Sequence, residues 1–110
     1  MEPIRLKKLS WVNKFLENEG QVGQMVNEII ERFEGALFEE LLKAETIKQV
    51  VSKPQIFELR IHLTGIFFRF LGPKSTGCII LLHAFKKKTN KIPPRELNIA
   101  VKRAKELGYS

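Results

Sequence analysis

The stretch FELRIHLTGIFFRFL, residues 57–71, decides the fold because its side chains alternate with the period of a β-strand. From Phe57 to Leu63, apolar residues alternate with polar or charged ones, which is typical of a strand with one buried face. The pair Thr64-Gly65 interrupts this alternation and predicts a tight turn. The segment therefore predicts two antiparallel strands joined as a hairpin.

Helices and further strands flank this hairpin along the chain. In chain order the sequence predicts a strand at 4–9, helices at 11–18 and 21–37, the hairpin, a strand at 78–85, and a helix from Pro93 or Pro94 to about Leu107. Ser10 is the expected N-cap of the first helix. Residues 38–51 fit either a further helical turn or a loop over the core.

These elements predict an α+β fold for a single domain over residues 1–110. We expect a small antiparallel sheet with two N-terminal helices packed on one face and a C-terminal helix. The other face would then be free to bind a partner. If the three strands pair in chain order, Arg60, Arg69 and His83 converge on that free face.

The charge is divided unevenly along the chain. Residues 1–50 hold seven Lys and Arg against nine Asp and Glu, whereas residues 51–110 hold twelve against three, a balance of +9. A basic half beside a nearly neutral half indicates a footprint for nucleic acid or another polyanion. No apolar run is long enough to cross a membrane, and Met1 to Lys8 lack the apolar core of a secretory signal. With one cysteine, Cys78, the expected location is the cytoplasm.

The segment 81–94, LLHAFKKKTNKIPP, places a histidine and four lysines at the end of an apolar strand. Lysines after a strand are usually a solvated turn. The segment gains weight from the two arginines of the hairpin, since cationic side chains beside a titratable imidazole suit the handling of a phosphodiester.

Four segments together resemble the phage-derived branch of the RelE/HigB toxin superfamily. They are FELRI at 57–61, FFRF at 67–70, LHAFKKKT at 82–89, and the proline-started helix from Pro93 to Ala100. In that branch a "YELR" strand, a "YR" strand and an "LLHGFxKKTxKTP" strand end follow one another in this order. This chain has Phe57 and Phe68 where those tyrosines stand, and it has Asn90 and Ile92 in place of Gln and Thr.

The resemblance implies the toxin of a type II toxin–antitoxin pair, usually a ribosome-dependent endoribonuclease that cuts mRNA without a metal or other cofactor. Its expected partners are the mRNA, the ribosome and a cognate antitoxin, most often a helix-turn-helix protein. The alternative is a non-catalytic ParE-like or phage host-inhibition protein that binds a protein target such as gyrase.

The same resemblance assigns roles to basic residues of this chain. Arg60 and Arg69 would grip the scissile phosphate, His83 would act as general acid or base, and Lys86 and Lys87 would stabilise the developing charge. The expected contacts to RNA or ribosome are Lys48, Lys88 and Lys91.

Each of these assignments has a structural alternative. Arg60 could simply pair with Glu58, and Arg69 needs a partner or a ligand because its neighbours are apolar. His83 could be a hydrogen-bonded structural histidine. His62 has no motif support, so we expect it to be a surface or structural residue.

Overall fold

The computed structural model describes residues 3–87 and 91–110. Its elements are β1 (Arg5–Lys8), α1 (Ser10–Asn18), α2 (Gly20–Phe33), α3 (Phe38–Lys43), β2 (Ile47–Ser52), β3 (Gln55–Leu63), β4 (Ile66–Ser75), β5 (Cys78–Leu81), β6 (His83–Lys87) and α4 (Pro94–Glu106). The predicted α+β class, the two N-terminal helices and the proline-started C-terminal helix are confirmed.

The strands form one mixed sheet in the order β1-β5-β4-β3-β2. Strand β6 lies outside this order and pairs with residues 67–71 of β4, whereas β5 pairs with Lys74 and Ser75 of the same strand. All pairings are antiparallel except that of β1, which runs parallel to β5. The prediction of a wholly antiparallel sheet is wrong at this one edge. A parallel pair requires a long crossover, and here the chain between β1 and β5 supplies it.

The hairpin of β3 and β4 turns at the predicted pair. Leu63 and Ile66 are the last paired residues, and Thr64 and Gly65 have φ angles of 51° and 76°. Two central residues at positive φ are the signature of a type I′ turn, whose twist matches that of the strands it joins. The turn sets the register in which Arg60 faces Arg69.

The helices α1 and α2 cover the first face of the sheet. The core between them includes Val12, Leu16, Val26, Ile30, Leu59, Ile61, Phe68 and Phe70. The helical residues recur every three or four positions and the strand residues every two, so both patterns place their apolar side chains in one layer. This face is closed to solvent.

The helix α4 covers part of the second face. Its Ala100 and Ala104 pack with Ile56, Leu71, Leu82 and Phe85 in a separate cluster. The expectation that the second face is free is therefore wrong for this part, because the apolar stripe of α4 needs a surface to bury itself against. The remainder of that face carries charged side chains.

Several boundaries differ from the predictions. Ser10 lies inside α1 and Leu9 is the N-cap, without a capping side chain. The second helix ends at Phe33, four residues before the predicted Leu37. The ambiguous segment 38–51 forms both α3 and most of β2, an edge strand that the sequence did not indicate.

The predicted strand 78–85 is divided by a bulge. Lys74 pairs with Ile79 and Leu71 pairs with His83, so two residues of β4 oppose three residues of the partner segment. Gly72 lies at this point, and a Cβ atom on it would come within 1.7 Å of the Ile80 carbonyl oxygen. The glycine permits this close approach, and the extra residue reverses which side chains of β6 face α1 and α2.

Candidate functional site

The register of β3, β4 and β6 brings a set of cationic side chains onto the second face. Arg60 lies directly across from Arg69, and Phe67 pairs with both His62 and Lys87. Residues paired across antiparallel strands share a face, and so do residues two apart along a strand. We call Glu58, Arg60, Arg69 and Lys87 the cationic cluster.

Glu58 is the one carboxylate of this cluster. Its Oε1 lies 3.6 Å from Arg60 Nε, and its Oε2 lies 3.6 Å from Arg69 Nε. These separations are ion pairs rather than well-formed hydrogen bonds. Among the residues that the structure describes, Glu58 Oε2, Arg60 Nε and Arg69 Nε have no hydrogen-bond partner. The cluster therefore holds buried polar atoms that a ligand could satisfy.

Arg69 is the most deeply buried charge, with 1% of its surface exposed. Its Nη1 donates a hydrogen bond to the Phe68 carbonyl oxygen at 3.1 Å, and its guanidinium carbon lies 5.6 Å from the Phe67 ring centroid. A like charge directly across the strands, Arg60, opposes this arrangement. One carboxylate must therefore stabilise two arginines, which leaves the cluster with excess positive charge.

The pKa shifts of Lys87 and of the neighbouring His62 reflect the same excess of positive charge. Burial is the main cause that lowers the pKa of Lys87, and the charges of Arg69 and Arg60 lower it further, against the opposing effect of Glu58. The pKa of His62 is lowered by burial first and then by Arg69, Arg60 and Lys87. At neutral pH the imidazole of His62 is therefore uncharged and able to accept a proton.

His83 lies on the same face, but α4 covers it. Its Nε2 is 2.9 Å from Glu96 Oε1, and its Nδ1 is 3.2 Å from Arg103 Nη1. Arginine can only donate, so Nδ1 accepts and Nε2 donates its proton to the carboxylate. The same Arg103 donates to the Leu82 carbonyl oxygen at 3.0 Å and lies 4.5 Å from the Trp11 ring centroid. Both imidazole nitrogens are thus used to hold α4.

Burial also lowers the pKa of His83, although its hydrogen bond to Glu96 opposes the shift. The structural alternative for this histidine therefore has direct geometric support. We assign His83 to the anchoring of α4.

The two adjacent lysines of β6 lie on opposite faces. Lys87 pairs with Phe67 on the second face and is 7% exposed, whereas Lys86 Nζ bonds Glu19 Oε1 at 2.9 Å on the helical side. The structure therefore brings Lys87, and not Lys86, to the two arginines.

The predicted RNA contacts Lys48 and Lys91 lie together beside the cluster. They line one open groove of about 460 Å³ with Glu58 and Arg60, and Ile92 lies in its wall. Lys88, the third predicted contact, lies outside the described residues. The groove continues the positive surface away from the hairpin.

The two positions at which the RelE/HigB motifs have tyrosine are core positions here. Phe57 and Phe68 are buried against α1, α2 and α3, on the first face of the sheet. A phenol at either position would need a buried hydrogen-bond partner, and it would point away from the cationic cluster. Their replacement by phenylalanine leaves the chemistry of the second face unchanged.

Sequence reasoning did not place His62 and Phe67 beside the two arginines. It considered Glu58 only as an alternative partner of Arg60. His62 lies two residues after Arg60 on one strand, and Phe67 two residues before Arg69 on the next. The period of a strand places each on the face of its arginine. That spacing was the available signal.

Among the described residues, none of the helices has the length and apolar character of a membrane-spanning segment. No group of three or more His, Cys, Asp and Glu side chains within residues 3–87 and 91–110 is arranged to hold a metal ion.

The family model of phage-derived Gp49-like proteins (DUF891) matches residues 14–105, most of the chain. That family is associated with toxin–antitoxin proteins of the RelE type. No curated protein and no solved structure matches the chain.

Proposed function

We propose, because the chain belongs to the phage-derived Gp49-like family, that it is the toxin of a type II toxin–antitoxin pair and cleaves mRNA on the ribosome. The observation that carries this proposal is the cationic cluster, in which Arg60, Arg69 and Lys87 surround a single carboxylate. The HigB-like motifs around these residues support the same branch of toxins.

A phosphodiester suits the cluster in charge and in geometry. Arginine presents a planar fork of donors that matches two phosphate oxygens, and Arg60 and Arg69 stand side by side on neighbouring strands. A bound phosphate would accept hydrogen bonds from the Arg60 side chain, which is 26% exposed, and its charge would also stabilise the buried guanidinium of Arg69. It would also relieve the repulsion between the two guanidinium groups.

The proposed reaction is attack by the ribose 2′-hydroxyl on the adjacent phosphorus. The 2′-oxygen forms a bond to phosphorus, the bond from phosphorus to the 5′-oxygen breaks, and a cyclic phosphate and a 5′-hydroxyl result. Neutral His62 would accept the 2′-hydroxyl proton, since its ring is open to solvent beside Arg60. Arg60, Arg69 and Lys87 would stabilise the charge on the pentavalent phosphate. Lys87, whose pKa is lowered, would return a proton to the 5′-oxygen.

The proposed partners follow from this activity. The groove of Lys48 and Lys91 extends the positive surface along which an RNA backbone would lie. A cognate antitoxin, which we expect to be a helix-turn-helix protein, would silence the toxin by covering the cationic cluster.

Induction in cells with mapping of transcript 5′ ends tests the proposal. We expect the wild type to stop growth and to create new 5′ ends within translated mRNA. Arg69→Lys keeps a charge to pair with Glu58 but loses the guanidinium fork, so cleavage should fall about 100-fold or more. Thermal unfolding of each purified variant separates lost chemistry from lost folding.

Arg32→Lys is the matched control, because Arg32 is exposed on α2, on the other side of the sheet. It should behave as the wild type does. Growth arrest without new 5′ ends would reject the nuclease and favour a protein target. Cleavage at the wild-type rate in folded Arg69→Lys would remove Arg69 from the site.

A further inference from the structure

An aromatic pair lies at the hairpin end of the cationic cluster. The ring centroids of His62 and Phe67 are 4.4 Å apart with an interplanar angle of 51°. His62 is exposed and Phe67 is half-buried, on the part of the second face that α4 leaves open. A large apolar ring at such a position gains little from core packing, so its surroundings indicate what it could bind.

Those surroundings form a groove with an apolar floor and a cationic wall. It has a volume of about 610 Å³ and is lined by Gly65, Ile66, Phe67, Lys86 and Lys87. A flat apolar ring fits such a groove if it also carries negative charge nearby, because Lys87 favours an anion. Lys86 reaches the rim of the groove from the other face of the sheet, where its Nζ is paired with Glu19. The guanidinium carbon of Arg69 lies over the Phe67 ring, 5.6 Å from its centroid, and brings positive charge next to the aromatic pair.

We infer that Phe67 is the stacking platform for one unpaired nucleobase of a single-stranded RNA, held in the groove of Gly65, Ile66 and Lys87. This inference rests on the proposed function and names the form of RNA that the site takes. Aromatic side chains stack on bases of any sequence, and the neighbouring cations hold the backbone.

The position of the platform also relates the base to the reaction. The base on Phe67 and the phosphate at Arg69 are separated by about the span of one nucleotide, because the two side chains are neighbours on one face of β4. The ribose between them would lie beside His62, whose ring contacts Phe67. The stacked nucleotide is therefore the one whose 2′-hydroxyl attacks.

A base can stack on Phe67 only if it is free of its own helix. In a duplex the bases are paired and stacked on one another, and unstacking one costs a few kcal/mol. We therefore expect the protein to prefer single strands to a duplex of the same length and charge. Electrostatic attraction alone would favour the duplex, whose charge density is higher.

Binding of an uncleavable oligonucleotide tests this assignment. A 2′-O-methyl RNA that contains the fluorescent base 2-aminopurine cannot be cut, and its fluorescence reports stacking. We expect quenching on binding to the wild type. Phe67→Leu keeps the apolar volume but removes the aromatic face, and it should weaken binding roughly 5-fold to 100-fold and abolish the quenching. Phe67→Trp should retain both.

Trp11→Leu is the matched control, since Trp11 is a partly exposed aromatic residue of α1 outside this groove. Its affinity and quenching should equal those of the wild type. Binding by the wild type that is unchanged in folded Phe67→Leu would overturn the platform and leave the proposed nuclease standing. Tighter binding to the matched duplex would also overturn it. If the wild type binds no oligonucleotide at all, the platform fails, and the mapping of transcript 5′ ends decides the proposed nuclease separately.

Discussion

The second face of the sheet has two halves that share strands but differ in what covers them. In the closed half, α4 packs over Leu71, Leu82 and Phe85, and His83 is hydrogen-bonded through both ring nitrogens. In the open half, Arg60 and Arg69 have Nε atoms without hydrogen-bond partners among the described residues. Among the described residues, the buried His83 is therefore hydrogen-bonded in the closed half, whereas the buried Nε atoms of the open half are not.

The two histidines make this difference concrete. His83 and His62 both have a pKa below the ordinary value. Burial is the first cause at His83, whereas partial loss of solvent contact combines with the charges of Arg69, Arg60 and Lys87 at the more exposed His62. The ring of His83 is held by Glu96 and Arg103, so it serves the fold. The ring of His62 lies among cations at the surface, so it remains available to a ligand. A histidine in a strong motif can thus have both ring nitrogens engaged by the fold, and one without motif support can lie beside the cationic cluster.

Unsatisfied buried charge reduces stability, and a protein retains it where binding repays the loss. The cationic cluster fits this description because an anion would complete it. The closed half shows that the same sheet can satisfy its polar groups where α4 covers it. The predictions below test this contrast, from the largest effect to the smallest.

Glu58→Gln should lower the free energy of unfolding by about 3–5 kcal/mol, because Arg69 would remain buried without a carboxylate. Glu96→Gln in the closed half should cost only about 1 kcal/mol, since an amide can still accept from His83. Urea denaturation measures both values.

The double variant Glu58→Leu with Arg69→Met is the control for this first prediction. Apolar replacement of both charges should return stability to the wild-type value or above it, while RNA binding is lost. If Glu58→Gln costs no more than Glu96→Gln, the two halves do not differ in the way described.

Lys87→Met should weaken binding of the 2′-O-methyl oligonucleotide about tenfold, and Lys86→Met much less. Lys87 faces the arginines, whereas Lys86 pairs with Glu19 on the other face. Loss of one phosphate contact should also reduce the slope of log affinity against log salt by about 0.7. Arg32→Met controls for the loss of one charge. Equal effects for the two lysines would contradict the alternation of β6.

Acidification should destabilise the fold as pH falls from about 6.5 toward the lowered folded-state pKa values of His62 and His83. In that window the unfolded chain binds protons that the folded chain does not, so stability increases with pH. His83→Gln and His62→Gln should each flatten this dependence, measured by denaturation at several pH values.

An NMR titration of the histidine ring protons distinguishes the two halves directly. The bound oligonucleotide should raise the pKa of His62, because its negative charge offsets that of Arg69, Arg60 and Lys87. His83 should not respond, since α4 separates it from the ligand. A response at His83 alone would place the ligand in the closed half.

Thr64→Asn should stabilise the protein by about 0.5–1 kcal/mol, because asparagine tolerates the positive φ of 51° better than a β-branched residue does. Thermal unfolding measures the gain. Gly65→Ala, at a φ of 76°, should lose stability by the same reasoning. RNA affinity should stay at the wild-type value in Thr64→Asn, since Thr64 does not line the groove that would hold the base.

Local patterns predicted the hairpin, the N-terminal helices and the helix that begins at Pro94, because each has a clear period and a turn or proline at its boundary. The segment 38–51 could not be predicted, since its few apolar residues fit a helical turn or a loop and did not indicate the strand β2. The parallel pairing of β1 with β5 depends on residues over seventy positions apart. No local pattern reports such a contact.

By itself, the sequence determined that Arg60 and Arg69 share one face of a hairpin, because the strand period and the Thr64-Gly65 turn leave no other register. Only the tertiary structure decided which lysine joins them. The bulge opposite Gly72 adds one residue between β5 and β6 and turns Lys87, instead of Lys86, toward the arginines. A one-residue shift exchanges the two faces of a strand, and close backbone packing sets that shift.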